Sequence, residues 1–483
     1  MMRKRKKPPP VMKRRQPLHM HKFLNGFIRM KYVRYIFFTF FVLMQGFAHA
    51  QSDSLSNKAP GNNSNILTLD QAIDLALLNN YDIRLAKNVF DVAANDYAYR
   101  NFLFTPTLNA NAANLWNSNT SKQKFETGPP SNRNNIHSPN VQAQLQLNWK
   151  LFDGMRMFAT RNKLEAINNL GETNVKVQLI NTISRVIRTY YNVVQEKQQL
   201  RAIQEQMSIS EERVKLSDAK FTTGLGPKTD LLQAKVDYNA QKAAYLRQLT
   251  VIDQTKDTLN QVMAARPANN VSYEVEEIIP INMDLSFGDL ESGMNKNSLD
   301  IKSAAQNVEV YKYAMKEYKG NLYPQLYFNS AYNFSRTIYS QPTNQFSPIS
   351  NLNRGYNYGF TLNVPIFNGF SARQQYQDAK LNVEYYQLNL ENVRTKLALD
   401  LNNSFKDYEY YKQALSLEQE NLELAKENAM VALERFKQGV STTIEVKQAQ
   451  QSLEDSQYRL IQARFNAKVA ETELLRLKGE LLK

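Results

Sequence analysis

Apolar and polar residues alternate along residues 141–151. Successive side chains of an extended strand point to opposite faces, so this alternation predicts a strand with one apolar face and one hydrated face. A similar alternation returns 215 positions later, at residues 356–366. The apolar positions are Val141, Ala143, Leu145, Leu147, Trp149 and Leu151 in the first segment, and Tyr356, Tyr358, Phe360, Leu362, Val364 and Ile366 in the second. Both strands are predicted to lie between two different solvents.

Other residues repeat at nearly the same distance, which identifies the chain as a tandem duplication. At an offset of 218, Leu67, Ile83 and Pro106 recur as Leu285, Ile301 and Pro324. At an offset of 215, Phe221, Gly224, Asp230 and Ala234 recur as Phe436, Gly439, Glu445 and Ala449. The offset changes between the two strands of a repeat, so the loop that joins them has lost residues in the second copy.

Each repeat is predicted to contain two short helices, two strands joined by a loop, a very long helix, a tight tip and a return helix. The first repeat covers 67–265, with a second short helix at about 82–102, strands at about 107–116 and 141–152, a loop at 117–140, a long helix at 155–222 and a return helix at 229–263. A linker covers 266–286. The second repeat covers 287–483, with strands at about 325–335 and 356–366, a long helix at 370–437 and a return helix at 443–480.

The first long helix is predicted from an apolar stripe that steps by threes and fours. Its members are Ile180, Ile183, Ile187, Tyr190, Val194, Leu200, Ile203, Met207, Val214 and Phe221, with Ser210 and Ser217 in two of the positions. At 1.5 Å per residue this helix extends for roughly 100 Å, which requires coiled-coil-like packing against neighbouring helices. The glycines Gly224, Gly226 and Gly439 end the helical pattern and predict the tip turns.

The basic character of the chain lies in its first fifty residues. Residues 1–50 hold 12 Lys and Arg and no acidic residue, then an apolar run and Ala48-His49-Ala50, which predicts a cleaved secretory signal peptide. A retained membrane anchor is the alternative. The other 48 basic residues nearly balance 45 acidic ones, so the net charge of +15 does not indicate nucleic-acid binding. Residues 51–66 are polar and predict a flexible tail.

The pattern predicts a mainly α protein with transmembrane β-strands, four per chain. Four strands with an apolar outer face cannot close a barrel alone, and an open edge cannot face lipid, because its backbone groups would remain unpaired. Three chains would supply twelve strands, an even number within the range of known barrels. A soluble β-sandwich, in which the apolar faces meet each other, is the alternative.

Residue types suited to catalysis or metal binding are scarce. The chain has no cysteine, and His137 is the one histidine outside residues 1–50. This composition argues against metal cages and against nucleophilic triads, so we expect no catalytic residue, no metal and no cofactor. Carboxylate pairs such as Asp407 with Glu409 lie among Lys and Gln on long helices and are interpreted as solvated faces.

The order of these features resembles the TolC-like outer-membrane efflux proteins over nearly all of residues 67–480. The resemblance is carried by the duplication, the strand entries at Pro106 and Pro324, the strand exits Phe152-Asp153-Gly154 and Phe367-Asn368-Gly369, and the Phe-x-x-Gly tips. It implies a homotrimer with a twelve-stranded barrel in the lipid of the outer membrane, continued by a twelve-helix coiled-coil tunnel in the periplasm. It also implies two protein partners, a periplasmic adaptor (membrane fusion) protein and an inner-membrane pump.

The resemblance also assigns residues at the tips. An acidic ring of the periplasmic gate falls on Glu445, while its second acidic position falls on Gln448. The tip latch falls on Asp230, on Phe436, which lacks a hydroxyl, and on Ser441 in place of an arginine. The alternative is that Asp230 and Glu445 only favour a helix N-terminus, an effect of about 0.3–1 kcal/mol each.

The function expected from these features is that of a passive exit duct in a tripartite efflux or type I secretion system. The cargo would be drugs, other small molecules or exported proteins. Two alternatives remain open at this point. One is a trimeric structural adhesin or stalk, and the other is a periplasmic coiled-coil adaptor.

Overall fold

The computed structural model describes residues 66–265, 273–342 and 347–481. The predicted signal peptide, nearly all of the predicted tail and the first third of the predicted linker lie outside the described residues. The helices are α1 (Leu69–Asn79), α2 (Tyr81–Ala98), α3 (Arg156–Thr222), α4 (Lys228–Met263), α5 (Phe287–Asn297), α6 (Leu299–Gly320), α7 (Ser371–Lys437) and α8 (Thr443–Lys478), with a 3₁₀ helix at Arg100–Phe104. The strands are β1 (Ile66–Leu67), β2 (Thr107–Gln123), β3 (Ser131–Asp153), β4 (Glu274–Val275), β5 (Gln325–Ile338) and β6 (Ser350–Asn363).

The duplication is visible in the element lengths. The long helices α3 and α7 each have 67 residues, and the return helices α4 and α8 each have 36. Both long helices begin directly after a left-handed residue that follows a glycine, at Met155 and at Phe370. Among the described residues, no helix carries an apolar stretch long enough to cross a membrane.

A compact core surrounds the middle of α3. Val186, Val193 and Val194 are fully buried there against α1, the end of α4 and the described part of the linker. Fully burying such a side chain stabilises the fold by about 1.5–3 kcal/mol. The linker also contains a short strand that was not predicted from the sequence. This strand, β4, pairs in parallel with β1. The hydroxyl of Tyr190 donates to the carbonyl of Leu67 at 2.9 Å and holds this small sheet on α3.

The other four strands form one antiparallel sheet in the order β2-β3-β5-β6. Its register places the apolar residues of all four strands on the same face. Leu145 lies opposite Ala110 on β2 and Tyr332 on β5, and Tyr332 lies opposite Tyr356 on β6. This face is exposed in the single chain, with Tyr356 77% exposed. No second large sheet occurs among the described residues to cover it, so the sandwich alternative has no support.

The strand ends differ from the prediction. Residues 117–140 were predicted as a loop, but β2 continues to Gln123 and β3 starts at Ser131. The loop is therefore limited to residues 124–130, and the prediction is wrong for the rest of 117–140. An antiparallel ladder pairs backbone groups, so it tolerates the Asn- and Ser-rich side chains of this segment. In the second repeat β5 extends to Ile338, while β6 starts at Ser350 and ends at Asn363, short of the predicted 366. Pro365 explains that end, since proline has no N–H to donate to a ladder.

The second short helix was predicted to reach residue 102 and is also shorter. Helix α2 stops at Ala98, and the 3₁₀ helix follows it. The start of α2 is fixed by Asn80, whose Oδ1 accepts from the backbone N–H of Asp82 at 2.9 Å. The side-chain amide of Asn80 donates to the carbonyl of Val262 at 2.7 Å. One buried asparagine therefore caps α2 and ties it to α4.

Candidate gate at the helix tips

The two tip turns have the same backbone geometry. Gly224 and Gly439 adopt φ values of +73° and +76°, a left-handed conformation that favours glycine. The next amide in each turn reaches back to a helix carbonyl, from Leu225 to Lys220 at 2.8 Å and from Val440 to Arg435 at 3.0 Å. These bonds close both long helices with a Schellman motif. Gly226, the third predicted turn residue, has no positive φ and lies against the side chain of Lys220.

Glu445 belongs to the cap of α8. The hydroxyl of Thr442 accepts from the backbone N–H of Glu445 at 3.3 Å, which is the capping bond of this helix. The Glu445 carboxylate accepts from the hydroxyl of Ser441 at 2.7 Å. Gln448 lies three residues further along α8 and is exposed, as is Glu445. The two predicted gate residues therefore share one surface, and Ser441 orients the charged one.

Asp230 joins the two helical hairpins. Its Oδ2 atom accepts from the hydroxyl of Thr443 at 2.9 Å, which connects the first turn of α4 to the first residue of α8. The other predicted latch residues have different partners at the same tip. Phe436 is buried against Leu433 and Val446, and Ser441 hydrogen-bonds Glu445. The structure thus gives Asp230 a partner that sequence reasoning missed.

Lys220 makes a second connection between the hairpins that sequence reasoning also missed. Its ammonium group donates to the carbonyl of Phe436 and lies 3.7 Å from the centroid of the Phe436 ring. A cation at the C-terminal end of a helix is stabilised by the helix dipole, and the ring face adds a cation–π attraction. The sequence feature that could have indicated this contact is a lysine in the last turn of the long helix, directly before the predicted tip.

Lys437 adds an ion pair between the long helices. Its ammonium group lies 2.9 Å from the carboxylate of Glu212 on α3 and 2.7 Å from Glu434 on its own helix. The hydrogen bonds to Glu434 and then Glu212 raise the pKa of Lys437 above its ordinary value. Lys437 therefore stays charged at physiological pH.

A buried polar layer lies behind the tips. Arg213 is 1% exposed, pairs with the carboxylate of Asp237, and donates to the side-chain carbonyl of Gln450 at 2.9 Å. Lys447 also reaches Asp237, at 3.0 Å. Burial opposes ionisation of Asp237, but hydrogen bonds from Lys447 and Gln233 and the charge of Arg213 outweigh it, so the pKa of Asp237 lies below its ordinary value. The layer joins α3, α4 and α8.

The contacts between α3 and α8 include polar pairs as well as the packing of Ile209 and Leu216 against apolar residues of α7 and α8. Gln206 donates to Gln457 at 3.3 Å and Gln195 donates to Gln462 at 2.9 Å. By contrast, α7 and α8 pack through small apolar side chains, which are Ala425, Ala429, Ala449 and Leu453. Water can replace a polar contact at a smaller net cost than an apolar one, because polar groups are also solvated when apart.

The described residues hold no group of three or more side chains that could bind a metal ion. What the structure does provide is one antiparallel sheet with an exposed apolar face, joined to helical hairpins whose tips are held by hydrogen bonds and ion pairs. These features define an outer-membrane channel with a long helical extension.

The comparisons with known proteins agree. The family described as "Outer membrane efflux protein" matches residues 72–265 and 292–480, one segment in each repeat. The chain belongs to this family, and it is an outer-membrane efflux channel that extends into the periplasm. The resemblance stated from the residues is confirmed. The adhesin and the adaptor alternatives are wrong, since neither is an efflux channel.

Relatives of known sequence share about a fifth of their residues with this chain. The outer membrane efflux protein BepC of Brucella suis biovar 1 is 22% identical over 343 residues, which cover 70% of this chain and 72% of BepC. The outer membrane protein TolC of Escherichia coli is 22% identical over 376 residues, which cover 72% of this chain and 74% of TolC. The match spans most of each protein.

Solved structures show the same fold. The outer membrane channel CmeC of Campylobacter jejuni aligns with a TM-score of 0.71 at 18% identity, covering 85% of each chain. The outer membrane protein VceC of Vibrio cholerae aligns with a TM-score of 0.70 at 14% identity, covering 85% of this chain and 96% of VceC. The mainly helical, internally duplicated fold is therefore shared.

Proposed function

We propose that three copies of this chain assemble into one passive exit duct, with a twelve-stranded barrel in the outer membrane. The observation that carries the proposal is the sheet, in which β2 and β6 each pair with one neighbour only among the described strands. Their other edges present unpaired backbone groups beside an apolar face. Hydrocarbon cannot satisfy those groups, so β6 of one copy must pair with β2 of the next until the ring closes.

The helices support the same arrangement. Packing contacts run from α2 to α3, from α3 to α6 and from α6 to α7, so α2 and α7 are the two ends of a row. Both end helices expose apolar stripes at coiled-coil spacing. The stripes are Tyr81, Leu85, Val89 and Val92 along α2, and Leu381, Tyr385 and Leu388 along α7. Stripes of this spacing bury their side chains against a neighbouring helix, here the end helix of the next copy.

The tips are the gate of this duct. Three copies bring three Glu445 carboxylates into one ring, where they attract cations as charged rings do in other pores. The contacts of Asp230 with Thr443 and of Lys220 with Phe436 hold each hairpin pair together. Opening breaks these contacts. The protein supplies no catalysis of its own, so transport is driven by its partners.

Those partners are a periplasmic adaptor and an inner-membrane pump. Both tips end in apolar side chains that the chain leaves uncovered, since Leu225 is 82% exposed and Ile444 is 76% exposed. Exposed apolar groups at the end of a long helical extension favour a protein partner there. Small molecules such as drugs, or exported proteins, are the cargo classes that fit a wide duct.

The trimer, the pore and the partners are tested by separate measurements. Heat-modifiable migration and native mass spectrometry of detergent-extracted protein are expected to give a trimer, and planar bilayers are expected to show a pore that closes at its tips. A stable monomer would overturn the barrel. For the partners, the chain contains no cysteine, so Ile444→Cys places a single thiol at the tip for crosslinking in cells. Ser121→Cys, near the outer end of β2, is the control and is expected to capture neither partner.

A further inference from the structure

A cavity of about 500 Å³ lies where the sheet joins the helices, away from the gate. It is an open groove bordered by the exit of β3, the first turns of α3 and the last turns of α6. Its apolar wall includes Phe152, Met155, Phe158 and Tyr323, and its polar rim includes Lys316 and Lys319. The function described above makes no use of it.

The register shows which side of the sheet the cavity opens on. Trp149 lies opposite Phe328 on β5, and after a bulge Phe152 lies opposite Leu326. Phe328 and Leu326 are two residues apart on one strand, so they share a face, and Phe152 shares it with Trp149. This is the apolar face. A cavity that contains Phe152 therefore opens toward the membrane and not toward the lumen.

Aromatic side chains place the cavity at the membrane boundary. The indole of Trp149 donates to the carbonyl of Phe104 at 2.8 Å, and the ring of Phe104 lies 5.1 Å from that of Phe158 in the cavity wall. Tryptophan with its N–H satisfied at the end of an apolar face is typical of the interfacial belt of membrane proteins. Since the helices extend into the periplasm, this boundary is that of the periplasmic leaflet.

The two lysines at the rim are free of acidic partners. Among the described residues no carboxylate lies within ion-pair distance of Lys316 or Lys319, whereas Lys163, which lines a separate cavity, is paired with Glu317. The ammonium group of Lys316 lies 5.0 Å from the centroid of the Tyr313 ring. Two unpaired cations above an apolar wall are complementary to one anionic head group with an attached hydrocarbon chain.

We propose that this cavity binds one anionic phospholipid of the periplasmic leaflet, with its phosphate at Lys316 and Lys319 and the upper part of an acyl chain against Phe152 and Phe158. The proposal rests on the proposed barrel, which makes the apolar face the lipid face. The bound lipid fills the junction between the sheet and the helices.

The duplication limits the site to one per chain. The residues that precede Lys316, Lys319 and Gly320 by 218 positions are Ala98, Asn101 and Phe102, which carry no charge. The close packing of the backbone at this site is also absent from the duplicated position. Gly154 adopts a φ of +70°, and a Cβ there would lie 2.8 Å from that of Tyr323, while its counterpart Gly369 has open space around it. Three lipids per trimer are expected.

The test is native mass spectrometry of the delipidated trimer with added phosphatidylglycerol or, for comparison, phosphatidylcholine. Wild type is expected to retain up to three phosphatidylglycerol molecules and to prefer them to phosphatidylcholine. Replacing Lys316→Gln and Lys319→Gln together is expected to weaken retention about thirtyfold, and each single change about fivefold. The matched control is Lys302→Gln with Lys380→Gln, which removes two exposed lysines outside the cavity.

Three results would overturn the proposal. The first is that wild type retains phosphatidylglycerol and phosphatidylcholine equally. The second is that the Lys316→Gln, Lys319→Gln variant and its control retain phosphatidylglycerol equally. The third is that millimolar inorganic phosphate displaces the lipid, which would indicate a small-anion site. If the lysine pair variant fails to assemble, the single changes decide. Planar-bilayer conductance separates the lipid proposal from the barrel proposal. A trimer that conducts but shows no lipid preference would overturn the lipid site alone. A protein that never forms trimers would overturn the barrel.

Discussion

The carboxylate of Asp230 and the hydroxyl of Thr443 lie 2.9 Å apart and form a hydrogen bond between the two helical hairpins. The residues at the duplicated positions are Glu445 and Lys228, and Glu445 bonds Ser441 and Thr442 of its own tip instead. The two repeats therefore use an acidic residue at the same position for different purposes. In the first repeat Asp230 joins the two hairpins, and in the second repeat Glu445 places a negative charge on the surface of the tip.

Thr443→Val is expected to loosen the tips. The change removes the donor and leaves Asp230 without this partner, a loss of about 0.5–1.5 kcal/mol per chain. We expect a larger open fraction in single-channel recordings in planar bilayers. Thr222→Val is the matched control, because the hydroxyl of Thr222 bonds only to Asp218 of its own helix. Equal open fractions for the two variants would remove this hydrogen bond from the gate.

Lys220→Met is expected to release the second contact between the hairpins. Methionine keeps much of the side-chain volume, while the bond to the Phe436 carbonyl and the cation–π contact are lost. Hydrogen exchange should become faster at the amides of residues 433–440, which the contact holds in place. Lys215→Met is the control, since Lys215 pairs with Glu211 on its own helix. Unchanged exchange in the Lys220 variant would contradict this role.

Glu445→Gln is expected to reduce the preference of the channel for cations and its block by multivalent cations. Glutamine retains a side-chain oxygen for Ser441 and removes only the charge, so trimer assembly should persist. Reversal potentials in a salt gradient measure the preference. Glu434→Gln removes an exposed charge from the same tip and is expected to have a smaller effect. If Glu445→Gln and Glu434→Gln change the reversal potential equally, Glu445 does not determine the cation preference of the gate.

The ion pair of the buried Arg213 with the partly buried Asp237 should make the tips sensitive to acid. The pKa of Asp237 is lowered in the fold, so its stabilising contribution is complete above the ordinary carboxyl value of about 3.9 and is lost as the pH falls through the lowered pKa. Asp237→Asn leaves Arg213 uncompensated, at a cost of about 3–5 kcal/mol near neutral pH. The variant should lose less further stability on acidification than wild type does.

Hydrogen exchange at the tips at pH 6 and pH 3 measures this difference. Asp257→Asn, on the same helix and exposed, is the control and should keep the acid response of wild type. An Asp237→Asn protein with the wild-type acid response would show that other carboxylates govern it.

The sequence predicted the repeats and the helical hairpins because their signals are local. Apolar residues at helical spacing, the glycines after the long helices and the constant offsets need no knowledge of distant contacts. The ends of the strands were harder to predict. In the polar segment 117–140 the ladder continues through backbone hydrogen bonds, and the alternation of apolar and polar side chains gives no sign of it.

The contacts of the tip could not be predicted for a different reason. The apolar stripe on α3 placed Met207, Val214 and Phe221 on the packed face. Near the tip the fully buried residues are instead polar. Ser210 and Ser217 occupy positions that the stripe predicted, whereas Gln206 and Arg213 occupy positions that it did not. Hydrophobic periodicity cannot identify a packed face that is itself polar. The partners of Gln206 and Arg213 on α8 are Gln457 and Gln450, which lie more than 230 residues away in the sequence, so only the fold reveals them.

Two substitutions three residues apart on β3 test the membrane orientation of the sheet. Leu145 lies on the apolar face, while Gln142 lies on the other face, opposite Ala113 and Ser335. A lysine facing lipid near the middle of the bilayer costs about 2–4 kcal/mol, whereas a lysine facing a water-filled lumen costs little. Leu145→Lys should therefore reduce the yield of heat-modifiable trimer in the outer membrane, and Gln142→Lys should leave it nearly unchanged while it shifts ion selectivity. The opposite order of the two yields would show that the polar face meets the lipid.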